Sequence, residues 1–292
     1  MPKFHWLFAS AACVSIVASS ALPGMTQALL PYTPKIDSDK LEQQGLQLHQ
    51  EAVQLIKFQQ YELALPRAEL ATQLAPNNYE VWFILGSLYL QQQEIDSGIK
   101  VLSKAETLAP QEEGILFVLG NAYFQQGDYS QALKKLEAGL KIEENAPEAL
   151  FDLGNTYLKL NRPSKAISSY EKAFAQEDSF WPAINNVGLV EYEQGKVEAA
   201  ISSWEAALSI DGEQPEPKLA LAVAKYNQGE QAQGIELAQK VLGTDLRYAD
   251  LQFLRDNLWG EKLIGDTETL FALPQIRDLI GDSASEKDQS KT

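Results

Sequence analysis

The 292 residues include 40 acidic and 24 basic side chains, a formal charge of -16 with no compact basic stripe, and such a surface repels phosphate backbones and excludes nucleic acid as an expected partner. With two histidines and one cysteine in the chain, there is no metal-ligand pair and no cysteine-histidine couple; His5 and Cys13 lie near the start, and His49 reads as a surface or groove residue rather than a catalyst. Glu112-Glu113 and Glu143-Glu144 are sequence neighbours that point in different directions on a helix, and no Gly-rich phosphate loop appears, so the chain reads as non-catalytic, without cofactor or metal.

Residues 1–28 begin with Lys3 and run from Phe4 to Leu22 without another charged side chain. As a helix that stretch would reach roughly 28 Å. Small residues at Ser19 and Ala21, or at Thr26 and Ala28, suit a signal peptidase, so an export segment is expected, either a cleaved signal peptide or an uncleaved anchor. Lys3 favours an N-terminus that stays inside, with the remainder translocated. Because Cys13 sits in this segment, the rest of the chain forms no internal disulfide. Residues 29–44, with Pro31, Pro34, Asp37 and Asp39, read as a linker.

From 45 to 248 small residues return every 34 positions. One series is Ala52, Gly86, Gly120, Gly154, Gly188 and Ala222; the other, twelve positions later, is Ala64, Gly98, Ala132, Ala166, Ala200 and Gly234. Two such series predict paired helices whose backbones approach closely. Six units then begin at Gly45, Tyr79, Glu113, Pro147, Trp181 and Pro215. Gly127, Gly195 and Gly229 are expected in the left-handed conformation that ends the first helix of a unit. Pro147, Pro163, Pro182 and Pro215 fall at helix starts. Pro66 falls inside a predicted helix, so a late start or a bend is expected there.

The chain resembles tetratricopeptide-repeat (TPR) proteins. Its second unit carries Trp82, Leu85-Gly86, Tyr89, Gly98, Leu102, Ala105 and Pro110, and its fourth carries Leu150, Leu153-Gly154, Tyr157, Ala166, Tyr170 and Ala173. The fifth keeps Val187-Gly188, Ala200, Trp204 and Ala207 but has Glu191 where the tyrosine belongs. The resemblance implies an all-α fold, a right-handed TPR superhelix of about six helix-turn-helix units, in which the first helix of each unit lines a concave groove. On that pattern the groove residues are Phe83, Ser87, Leu90, Phe117, Asn121, Phe124, Phe151, Asn155, Leu158, Asn185 and Tyr192. Phenylalanine offers apolar area and the asparagine amide can pair with a peptide backbone, so a protein partner is expected as an extended peptide or a helix. The alternative is that the phenylalanines pack against neighbouring units. Glu80, Gly114 and Glu148 at the second position, with phenylalanine at the fifth, lack the basic residues of a carboxylate clamp.

Residues 249–281 place Leu251, Leu254 and Leu258, then Leu263, Leu270 and Leu273, then Ile276, Leu279 and Ile280 at helical spacing, broken at Gly260, Gly265 and Pro274. They read as helices capping the last unit, with a second binding element as the alternative. Residues 282–292 are polar and expected to be disordered. The export segment, the repeats and the string DLRYADLQFLRDNLWGEKLIGDTETL together resemble the Pitt type of cyanobacterial thylakoid TPR proteins. That resemblance implies an exported or membrane-anchored scaffold in the thylakoid membrane or lumen. It would assist thylakoid biogenesis and chlorophyll synthesis through protochlorophyllide oxidoreductase. A periplasmic scaffold for envelope or secretion machinery is the alternative.

Overall fold

The computed structural model describes residues 37–289, with side chains as far as residue 281. The export segment with Cys13 and residues 29–36 of the expected linker lie outside the described residues. The chain from Asp39 onward forms one compact unit.

Six helix pairs follow one another: α1 (Ser38–Lys57) with α2 (Tyr61–Leu74), α3 (Tyr79–Gln91) with α4 (Ile95–Leu108), α5 (Glu113–Gln126) with α6 (Tyr129–Gly139), α7 (Pro147–Lys159) with α8 (Pro163–Gln176), α9 (Trp181–Glu193) with α10 (Val197–Ile210), and α11 (Pro215–Asn227) with α12 (Gln231–Thr244). Each second helix also packs on the first helix of the next unit, so the pairs stack as a TPR solenoid.

The small-residue series has a steric cause. A Cβ on Gly120 would come 2.6 Å from the Leu136 side chain, one on Gly154 2.4 Å from the Tyr170 ring, and one on Gly188 2.6 Å from the Trp204 indole. Each glycine therefore seats the large side chain sixteen positions later, on the partner helix, and Leu136, Tyr170 and Trp204 are fully buried there. In the end units alanine stands at both places, Ala52 with Ala68 and Ala222 with Ala238, all buried. Volume is exchanged in register, as close packing requires.

The turn inside each unit repeats as well. Gly127, Gly195 and Gly229 have φ of 86°, 76° and 97°, and the equivalent Gln59, Gln93 and Asn161 adopt φ of 58°, 66° and 55° without being glycine. The next amide closes the helix end in every unit, as in Glu94 N–H to the Tyr89 carbonyl and Asp128 N–H to the Tyr123 carbonyl, both 2.9 Å. Tyrosines tie consecutive units: the Tyr89 hydroxyl donates to Glu69 at 3.0 Å and the Tyr157 hydroxyl to Glu137 at 2.8 Å.

Three boundaries differ from expectation. Helix α1 begins at Ser38, so residues 38–44 of the expected linker are helical and Gly45 lies within the helix, buried against Ala75. Helix α2 starts at Tyr61 and passes through Pro66 without a late start; Pro66 and Glu62, whose carbonyl loses its amide, are both exposed, where water can replace the bond. At the other end α15 (Pro274–Gln289) extends through much of the segment expected to be disordered, which contains no proline and several good helix formers.

Between α12 and α15 lie a 3-10 turn, η1 (Leu246–Ala249), and helices α13 (Leu251–Asp256) and α14 (Glu261–Phe271). Both η1 and α15 pack on α12 and cap the last unit, whereas α14 lies on α9 and α11, the first helices of the fifth and sixth units. Leu254, Trp259, Leu263, Ile264, Leu270 and Ile276 join Tyr192, Trp204 and Leu219 in one buried cluster.

Candidate protein-binding groove

Helices α3, α5, α7 and α9 carry the expected groove residues, and α1 and α11 continue the same row of first helices. Over α9 and α11 that surface is already filled. Glu193, at the end of α9, accepts the Lys262 amide at 3.1 Å and the Leu263 amide at 2.9 Å, so its carboxylate caps the N-terminus of α14. Gly260 has no side chain to obstruct this: a Cβ there would lie 2.2 Å from the Glu193 carboxylate carbon. The Tyr192 hydroxyl donates to Asp266 at 2.7 Å, and the Lys262 ammonium sits 3.6 Å from the centre of the Tyr192 ring. One turn earlier the Trp259 indole donates to Glu216 at 3.1 Å. Burial pushes the Glu216 carboxyl up to about 7, with the Trp259 and Asn185 hydrogen bonds acting against the shift.

Two of the expected groove residues are therefore not open. Asn185 and Tyr192 are buried, and Tyr192 is spent on α14. This also revises the reading of 249–281 as capping helices throughout, because α14 lies in the groove. The sequence signalled the helix through Leu263 and Leu270. It gave no sign of the destination, which depends on Glu193 and Glu216 meeting a segment far along the chain.

The other nine expected residues are half-buried, and several serve the fold as well as the surface. Phe117 lies over Gly139, where a Cβ would come within 2.5 Å of its ring, and Phe151 packs at 5.6 Å on Tyr170 and 5.4 Å on Phe180. Leu90 seats on Gly98, Leu158 belongs to the buried cluster of the fourth unit, and Phe83 to that between the second and third. Phe124 stacks at 5.3 Å on Tyr129. The Ser87 hydroxyl donates back to the Phe83 carbonyl at 2.9 Å.

The asparagines mostly knit helices together. Asn121 accepts from Gln125 and donates to Asp152 at 3.4 Å, and the Asn155 carbonyl oxygen accepts from Tyr170 at 2.8 Å and from Asn186 at 3.1 Å. Burial raises the Asp152 carboxyl to about 6, with the Asn121 bond opposing and the Glu148 charge assisting.

Toward the N-terminal end, α1, α3 and α5 enclose a cavity of about 320 Å³, whose lining includes His49, Glu80, Phe83, Glu112 and Gly114. Among the described residues no group of three or more His, Cys, Asp or Glu side chains could hold a metal ion, and no helix is long and apolar enough to cross a membrane.

A stack of helix pairs with one groove along its first helices defines an α-solenoid. Models of the TPR repeat match residues 120–161 and 188–229, a tetratricopeptide-repeat model matches 147–179, and a model of anaphase-promoting complex, cyclosome, subunit 3 matches 57–139. The chain is a tetratricopeptide-repeat protein. No curated protein matches it. Among solved structures it is similar to PilF of Pseudomonas aeruginosa, at 14% identity and a TM-score of 0.62, covering 76% of this chain and 98% of that one. It is similar also to YrrB, described as a TPR protein with an unusual peptide-binding site, at 18% identity and 0.53, covering 61% and 92%. MamA matches at 22% and 0.52, covering 56% and 95%. At these identities the likeness is one of fold.

Proposed function

We propose that the protein is a non-catalytic scaffold that holds a segment of a protein partner in the open groove along α3, α5 and α7. The reading rests chiefly on α14: a short amphipathic helix seated against α9 and α11 supports a groove that takes a helical segment. Going back through the repeat from Tyr192 gives Leu158, Phe124 and Leu90, and going back from Glu216 gives Pro182, Glu148, Gly114 and Glu80. The Tyr192 and Glu216 positions thus recur together as Phe124 and Glu148, an apolar position and a carboxylate on the open units. YrrB, a peptide-binding protein of the same fold, is consistent with this use.

The setting we propose follows from the sequence layout. The apolar N-terminal stretch and the Pitt-type resemblance favour an exported or membrane-anchored protein. There it would assist assembly of thylakoid complexes, with chlorophyll synthesis through protochlorophyllide oxidoreductase as the partner process.

The test is co-purification of the tagged full chain from native membranes, with partners identified by mass spectrometry. The control is a Phe124→Ala/Glu148→Lys variant checked for unchanged helicity. Recovery of a chlorophyll-synthesis or photosystem-assembly protein by the wild type, reduced about tenfold or more in the variant, is the expected result. Recovery of envelope or secretion machinery would move the scaffold to the periplasm. Equal recovery by both chains would remove the groove as the binding site.

A further inference from the structure

The cavity between α1, α3 and α5 differs from the rest of the groove in three ways. Its walls are Val53, Phe83, Ile84 and Ile115, with the carboxylates of Glu80 and Glu112 at the same opening. Gly114, on its lining, occupies a repeat position that carries Glu80, Glu148, Pro182 or Glu216 in the second, fourth, fifth and sixth units. Unlike Gly120 or Gly154, Gly114 is not demanded by packing, since a Cβ there would meet nothing within 4 Å. Glycine weakens a helix, so its presence leaves space at some cost in helix propensity.

The third difference is His49. Its ring Nδ1 is buried and makes no hydrogen bond. Burial holds this histidine below its ordinary value in spite of the Glu80 charge, which favours the neutral ring. A neutral imidazole keeps one nitrogen lone pair as an acceptor. The cavity therefore combines apolar walls with acceptors and anionic groups, and the Tyr79 hydroxyl donates to Glu112 at 3.5 Å at its edge.

We propose that this cavity binds an arginine side chain of the partner protein, with its stem against the apolar walls and its guanidinium paired with Glu80 and Glu112. Arginine matches the site on both counts: a long apolar stem, and five N–H donors spread over a plane that can serve two carboxylates and a ring nitrogen together. An acidic side chain would meet two negative charges, and an aliphatic one would use neither carboxylate and leave the buried His49 nitrogen unpaired. Buried arginines are frequent anchors of protein interfaces. The identity of the ligand as a partner's side chain rests on the groove reading above.

The probe is Nα-acetyl-arginine amide, titrated into the isotope-labelled full chain and followed by backbone amide NMR, with the neutral isostere Nα-acetyl-citrulline amide beside it. Its about 15 non-hydrogen atoms imply a dissociation constant on the order of 1 mM. The expected result is saturable shifts at Phe83, Gly114 and Ile115, about tenfold weaker for citrulline, and lost in Gly114→Gln, whose side chain fills the cavity. Glu80→Gln/Glu112→Gln provides an independent arm should Gly114→Gln unfold, and it is expected to remove the preference for arginine. Equal binding of citrulline, shifts confined to other residues, or a response unchanged in these variants would overturn the proposal. Failure of the probe with partner capture still dependent on Phe124 and Glu148 refutes the arginine pocket alone. Binding of the probe with capture independent of those residues refutes the groove scaffold instead.

Discussion

Gln93 and Gly154 show how differently one chain treats two backbone constraints. Gln93 sits exposed at φ 66°, where glycine serves in three other units. Its Cβ strain of roughly 1–2 kcal/mol outweighs the extra unfolded-state entropy of glycine, roughly 0.5–1 kcal/mol. Gln93→Gly is therefore expected to gain about 0.5 kcal/mol in urea unfolding. Gly154→Ala pushes a Cβ into the buried Tyr170 ring at 2.4 Å and is expected to lose about 1–3 kcal/mol in the same measurement. Glu216 makes a further prediction. Burial raises its carboxyl from an ordinary 4.5 to about 7, so the folded chain binds this proton more tightly than the unfolded one. Its contribution to stability is greatest below about pH 4.5 and falls as pH rises toward 7, by on the order of 1–3 kcal/mol. Asp152, raised from 3.8 to about 6, acts in the same direction over its own window. Glu216→Gln keeps an acceptor for the Trp259 indole and removes the charge. Thermal unfolding should show a higher Tm than wild type at pH 8 and no difference at pH 4.

Among the elements α14 is the informative one. Its apolar residues were visible at helical spacing, and a cap for the last unit was the natural reading, which η1 and α15 fulfil on α12. What turns α14 aside is a set of contacts no local window contains: Glu193 at its N-terminus, Tyr192 to Asp266, and Glu216 to Trp259. Glu193→Ala removes the carboxylate from two amides, at a cost of about 0.5–2 kcal/mol. Native-state hydrogen exchange should then quicken at Lys262 and Leu263 while α3 to α7 keep their protection. Quickening throughout the chain would mean that α14 is not a separable element.

At the scale of the whole molecule, stability follows the stacking of units. The cluster joining the fifth and sixth units to the C-terminal helices gathers Tyr192, Trp204, Leu219, Trp259 and Leu263. The first unit contributes chiefly alanines, Ala52, Ala64 and Ala68, to its own. Phe58 and Leu63 at its turn are exposed. Amide exchange is therefore expected to be fastest in α1 and α2 and slowest in α9 to α12, measured by mass spectrometry without denaturant. The same asymmetry divides the groove, closed where the core is densest and open over the units before it.

The period of 34, the helix pairing, the left-handed glycines and most of the helix starts could be read from residue types, because each depends on a contact within one unit or with the next. The same locality explains why glycine faces leucine, tyrosine or tryptophan in the middle units and alanine faces alanine at the ends. Groove positions could be named in this way too, since they follow from the period. Which of them remain open could not. Occupation of Tyr192 by Asp266 joins residues 74 positions apart, and the cavity beside Gly114 needs three helices from three units to enclose it. Contacts of that range leave no periodic trace in a sequence, and only the assembled stack decides them.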